Sequence, residues 1–183
     1  MGQGKRNDPI KEENGVGKTM DLRKYTLEDL LLAAIKSEIE SHDVYTTIAG
    51  KVKNGLIQDK LTFLAKEEQK HKEFIEQVFK SKFPKKKLLI PKTTPVPLPA
   101  LVIPAEDTPL GSILQNAMQA EQSAHDFYQS LAKQFTKDDK IRHTLTYFAD
   151  MELQHYKILE IEKESMDRFE EADVYWPMVH AGP

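Results

Sequence analysis

The chain has 183 residues and not one cysteine. Disulfides, thiol nucleophiles, Cys-ligated zinc and Cys-bound iron–sulfur or rubredoxin-type iron are therefore excluded, and a reducing cytoplasm is the compartment expected. No apolar run is long enough to cross a bilayer, so no membrane partner is expected. The first fifteen residues, MGQGKRNDPIKEENG, lack the apolar core of a secretory signal. Arg6 stands where a myristoylation signal needs Ser or Thr. Basic excess is missing too: 26 Lys and Arg against 29 Asp and Glu leave a formal charge of −3, which argues against nucleic acid as a partner.

What remains is a soluble composition with helical bias, 39% hydrophobic and 30% charged. Its length suits one domain with tails. Residues 1–24 are polar and read as a disordered lead. The bundle is expected over residues 25–170, and residues 171–183 form a tail. Thr26 is placed to cap a first helix, Leu27 to Val52, with Glu28 and Asp29 in its first turn. Its apolar stripe runs through Leu31, Ala34, Ile35, Tyr45 and Ile48 at three- and four-residue steps. Asn54-Gly55 is expected to end it. A second helix follows from Asp59 to Lys80.

Six of the ten prolines fall within residues 83–108, which blocks helix and predicts an extended crossover linker. Its Lys85, Lys86 and Lys87 should be solvated, and its later apolar part, Leu98, Leu101, Val102 and Ile103, should lie on the bundle or a partner. Thr108-Pro109 predicts the start of a third helix, reaching Phe135. Asp138 should cap a fourth, reaching Arg168. The tail holds the single Trp, and Trp176, Met178 and Val179 are expected to pack on the bundle or on another subunit.

Two tetrapeptides stand out. Glu68-x-x-His71 and Glu152-x-x-His155 are the two places where Glu precedes His by three, among six histidines. On a helix such a pair shares one face and can hold a single metal ion. The surroundings repeat as well. SEIESHDVY (37–45) matches AEQSAHDFY (120–128) at an offset of 83, and TFLAKEEQKH (62–71) matches TYFADMELQH (146–155) at 84. The chain therefore reads as two copies of one helical hairpin joined by the Pro-rich crossover.

Each helix also sets a Glu inside its own apolar stripe: Glu38, Glu68, Glu121 and Glu152. Burying an unpaired carboxylate costs several kcal/mol, and no Lys or Arg occupies these stripes to offset it. Two divalent cations would balance four carboxylates, with His71 and His155 as neutral imidazoles. One Glu from each of two helices plus Glu-x-x-His from the other two is the ligand pattern of di-iron and di-manganese bundles. The donor chemistry suits iron or manganese, and zinc is also accommodated.

Tyr45 and Tyr128 lie seven residues after Glu38 and Glu121, two turns along the same face. Their hydroxyls are candidates to support ligand carboxylates across the site, the alternative being plain buried aromatics. His42 and His125 are expected first as core histidines, next as hydrogen-bond partners of a ligand, and last as ligands. Asp43, Asp126 and His143 are expected at the surface. His180 is a remote candidate ligand.

On these residues the chain resembles the ferritin-like superfamily, and within it the di-iron domain of rubrerythrins. The likeness rests on Glu38 with Tyr45, Glu68-x-x-His71, Glu121 with Tyr128, and Glu152-x-x-His155, and spans residues 26–168. It implies an all-α, ferritin-like four-helix bundle. It also implies two iron ions, with Glu38 and Glu121 as terminal ligands, Glu68 and Glu152 as bridges, and one imidazole per ion from His71 and His155. The implied activity is an oxidoreductase acting on hydrogen peroxide or dioxygen in oxidative stress, fed by an external electron-donor protein, in a homodimer or larger homo-oligomer. Two departures accompany it. The Cys-ligated rubredoxin module usual in rubrerythrins has no counterpart here, and Ala124 stands where they carry a further Glu. Iron storage with ferroxidase activity, and a non-catalytic metal-bound bundle, are the alternative functions.

Overall fold

The computed structural model describes residues 20–98, 101–103, 105 and 108–175. Within them the chain forms four helices and no strand: α1 (Leu27–Lys51), α2 (Gly55–Lys82), α3 (Leu110–Ala132) and α4 (Asp139–Tyr175). α1 packs on α2 and α3 on α4, so each half is a helical hairpin, as the repeat requires.

The helix ends follow local chemistry. Thr26 and Asp29 form a reciprocal capping box: Thr26 Oγ1 accepts from the Asp29 amide, and the Asp29 carboxylate accepts from the Thr26 amide, both at 3.1 Å. Asn54, expected to terminate the first helix, instead starts the second. Its Oδ1 accepts from the amides of Leu56 and Ile57, so α2 begins at Gly55, four residues before Asp59. α1 ends in extended backbone at Val52, which leaves a short link and forces the two helices antiparallel. Thr108 does not cap α3; Pro109 occupies the N-cap without a side-chain bond, and the helix stops at Ala132 rather than Phe135. Asp138 does cap α4, accepting from the Ile141 amide at 3.2 Å. α4 continues past Arg168 to Tyr175.

The core divides into two apolar clusters. One holds Leu30, Ile35, Ile75, Phe79, Leu131, Leu145 and Phe148. The other holds Ile48, Leu61, Leu64, Leu114, Met118 and Leu159. Along every helix the central Glu falls between residues of the first cluster and residues of the second, so the acids form a polar layer across the middle.

The crossover touches both clusters, through Val96 in the first and Leu101 in the second. Val102 and Ile103, expected on the bundle or on a partner, are exposed on the single chain, while Leu98 is partly buried. Lys85, Lys86 and Lys87 are exposed, and Lys86 pairs with Glu28. The last residues of the stretch expected as a polar lead, residues 1–24, contact the bundle. Leu22 is buried in the first cluster, and the Met20 amide donates to Ser130 Oγ at 3.1 Å. Trp176, Met178, Val179 and His180 lie outside the described residues.

Candidate metal centre

Each helix delivers its acid to the middle layer. Glu38, Glu68, Glu121 and Glu152 are all buried, as are His71 and His155. These six side chains form two groups whose potential ligand atoms lie within 4.8 Å of one another. Glu38, Glu68, His71 and Glu152 make the first; Glu68, Glu121, Glu152 and His155 make the second. Glu68 and Glu152 belong to both.

The imidazoles face the carboxylates through Nδ1. His71 Nδ1 lies 2.9 Å from Glu152 Oε1 and 3.5 Å from Glu68 Oε2. His155 Nδ1 lies 3.0 Å from Glu152 Oε2 and 3.2 Å from Glu68 Oε1. The rings stack at 5.8 Å, and Phe148 covers His71 at 4.1 Å between centroids. Closeness is not the same as hydrogen bonding here. Glu68 Oε1, Glu152 Oε1, His71 Nδ1 and His155 Nε2 are buried without a hydrogen-bond partner. Orphaned buried polar atoms are costly. Glu68 Oε1, Glu152 Oε1 and His71 Nδ1 sit within the two groups, where cations would satisfy them. The residues present thus fit bound metal.

The outer carboxylates are held from the opposite hairpin. Tyr45 on α1 donates to Glu121 Oε1 on α3, and Tyr128 on α3 donates to Glu38 Oε1 on α1. Burial, and then the neighbouring Glu121 or Glu38, pushes both phenols well above their ordinary range, so they remain protonated donors.

The buried acids and imidazoles shift one another's protonation. Burial, followed by repulsion from Glu68 and Glu152, pushes Glu38 and Glu121 well above the carboxylate range. Burial also drives Glu68 and Glu152 upward, but His71 and His155 overcome it and hold both low. Burial lowers His71, yet Glu152 and Glu68 prevail and raise it to about 9. His155 rises likewise, against burial, through Glu121, Glu152 and Glu68.

The remaining candidates separate. His125 is buried and its Nδ1–H donates to the Ala149 carbonyl at 2.6 Å, the behaviour of a core histidine. His42 is half-exposed, its Nδ1 3.1 Å from Asp43 Oδ1, so it is not the core residue expected. Asp43 and His143 are exposed, and Asp126 is half-buried. Phe148 as a cover for His71 was not foreseen. Its signal was present in the repeat, where Phe148 takes the place of Leu64, seven residues before the histidine.

Four helices in two hairpins around a buried Glu/His layer define a ferritin-like bundle with a potential metal site. The rubrerythrin family model matches residues 29–163, and the chain belongs to the rubrerythrin family. The solved structure of a hypothetical protein from Pyrococcus furiosus is similar at 31% identity and a TM-score of 0.75, with 81% of this chain and 95% of that one covered. No curated protein matches the sequence.

Proposed function

We propose that the protein is a non-haem di-iron oxidoreductase that reduces hydrogen peroxide or dioxygen. The observation that carries this reading is the sharing of Glu68 and Glu152 between two four-residue groups. Cleaving an O–O bond takes electrons in pairs, and carboxylates common to two ions keep two one-electron donors in one site. Glu38 and His71 would complete one position, Glu121 and His155 the other, with Glu68 and Glu152 serving both. Bound iron would supply the electrons, one from each ion. Manganese matches the same donors; zinc does too but brings no redox chemistry.

The chain's own side chains supply the setting. Tyr45 and Tyr128 fix Glu121 and Glu38 in orientation and carry protons on oxygens beside the site. Phe148 shields the His71 ring, and the apolar clusters on both sides exclude water. An external protein would return the electrons, in an assembly of two or more copies in the cytoplasm. No helix among the described residues is long and apolar enough to cross a membrane.

The test is anaerobic ferrous loading of the metal-free protein, followed by peroxide or air, read by optical and Mössbauer spectroscopy. Uptake saturating at about two irons per chain and rapid oxidation by peroxide are expected. Uptake of many irons per chain into a large hollow assembly would turn the reading to storage. Loaded protein inert to both oxidants would leave a structural bundle.

A further inference from the structure

The two hairpins carry one histidine in two different settings. On α3, His125 is 7% exposed and closes the seam to α4 by donating to the Ala149 carbonyl at 2.6 Å. Its repeat mate on α1, His42, points outward, with 37% of its side chain exposed and Nδ1 3.1 Å from Asp43 Oδ1. The mate of Ala149 is Ala65, so the acceptor for an inward His42 is the Ala65 carbonyl. Where His125 fills its seam, the seam between α1 and α2 carries an open groove of about 780 Å³, lined by His42, Thr46, Gly50 and Ala65 together with the charged Lys66, Glu67 and Lys70.

This groove runs along the same two helices that carry Glu38 and Glu68, and its lining residues His42 and Ala65 each lie one helical turn from one of those acids, about 6 Å or less along each axis. Glu38 and Glu68 belong to the same group as His71 and Glu152. Small residues at Ala49, Gly50 and Ala65 leave the seam wide, and Thr46 and Thr62 give it hydroxyls. The outward bond of His42 is to an exposed carboxylate, and such surface pairs contribute little. Rotation of a half-exposed side chain is fast. The outward position of the ring is therefore weakly held.

We propose that the α1–α2 groove is the entrance through which divalent cations and small solutes reach the buried carboxylates, and that His42 closes it. Closure is the inward turn that donates Nδ1–H to the Ala65 carbonyl, copying His125 on the other hairpin. The proposal rests on the metal-centre reading above, since an entrance needs a centre to serve.

The test uses the full chain, metal-free, with cobalt(II) as the probe. Loading is followed by optical absorption in stopped flow, and release by transfer to EDTA. His42→Ala removes the closing side chain and should speed both steps several-fold. Gly50→Leu should slow both several-fold, because a Cβ at Gly50 meets nothing within 4 Å and the longer side chain grows into the groove. Both variants should keep the wild-type cobalt content and helical signal, so that rates alone move. Wild-type rates in either variant overturn the proposal. Failure of the wild-type chain to take up cobalt at all is a separate result, and it removes the metal-centre reading together with its entrance.

Discussion

Tyr45 of α1 donates its phenolic hydrogen to Glu121 of α3, 76 residues away in the chain. Tyr128 returns the arrangement to Glu38 across 90 residues. Each hairpin thus orients the outer carboxylate of the other. The two crossing bonds tie the halves together at the polar layer, where apolar packing is interrupted.

Tyr45→Phe and Tyr128→Phe should each retain metal stoichiometry while weakening affinity about tenfold, the common effect of removing a hydrogen bond to a ligand. Competition titration against a chelator measures it. Unchanged affinity in both variants would show that the phenols only fill space.

The shared acids should differ from the outer ones. Glu152→Ala and Glu68→Ala each remove a carboxylate common to both groups, and metal content should collapse in each. Glu38→Gln touches one group and should leave about one ion per chain at the Glu121–His155 position. Elemental analysis after desalting separates the cases. Equal losses from Glu38→Gln and Glu152→Ala would contradict the shared arrangement.

Stability of the metal-free protein should fall as pH rises, while the increment conferred by metal should grow. In the folded metal-free protein His71 titrates at about 9, above the ordinary 6.5. Between these values the folded state holds a proton that the unfolded chain has released, so stability falls as pH rises. Glu38 and Glu121 act in the same direction above 4.5, because burial and the neighbouring acids raise them. The depressed Glu68 and Glu152 matter only in acid, where their contribution is lost as pH falls. Metal displaces the protons on the raised groups, so its affinity should grow with pH. The melting temperature of the metal-free protein should fall from pH 6.5 to 9 while its gap to the loaded protein widens. Calorimetry with and without EDTA provides the check, and a metal-free midpoint that rises over this range would refute it.

The repeat-mate histidines should separate in equilibrium stability. His125→Ala deletes a buried ring and its bond to Ala149, and should cost roughly 1–3 kcal/mol. His42→Ala removes a half-exposed ring and should stay within about 0.5 kcal/mol. Urea denaturation of the two variants decides the matter; equal losses would mean that His42 is also packed inward in solution.

Much of this was legible in the chain itself. A Glu inside an apolar stripe, four times over, is visible because a helix repeats every 3.6 residues and so sorts its faces by sequence alone. The family match and the buried Glu/His layer follow from residues that could be read off in order. The start of α2 was misplaced because Asn54 carries two local meanings, a stop for one helix and a cap for the next. Which applied depended on how early the following residues could turn helical.

Covalent geometry and periodicity dictated the helices, the duplication and the acids facing inward, since these depend on neighbours within a turn or two. Only tertiary packing decided that Glu68 and Glu152 serve both groups and that each tyrosine crosses to the other hairpin. It also decided that His42 and His125, in nearly identical sequence settings, point different ways. Those outcomes depend on distances between helices, which side-chain volumes across the seam set and which no stretch of one helix encodes.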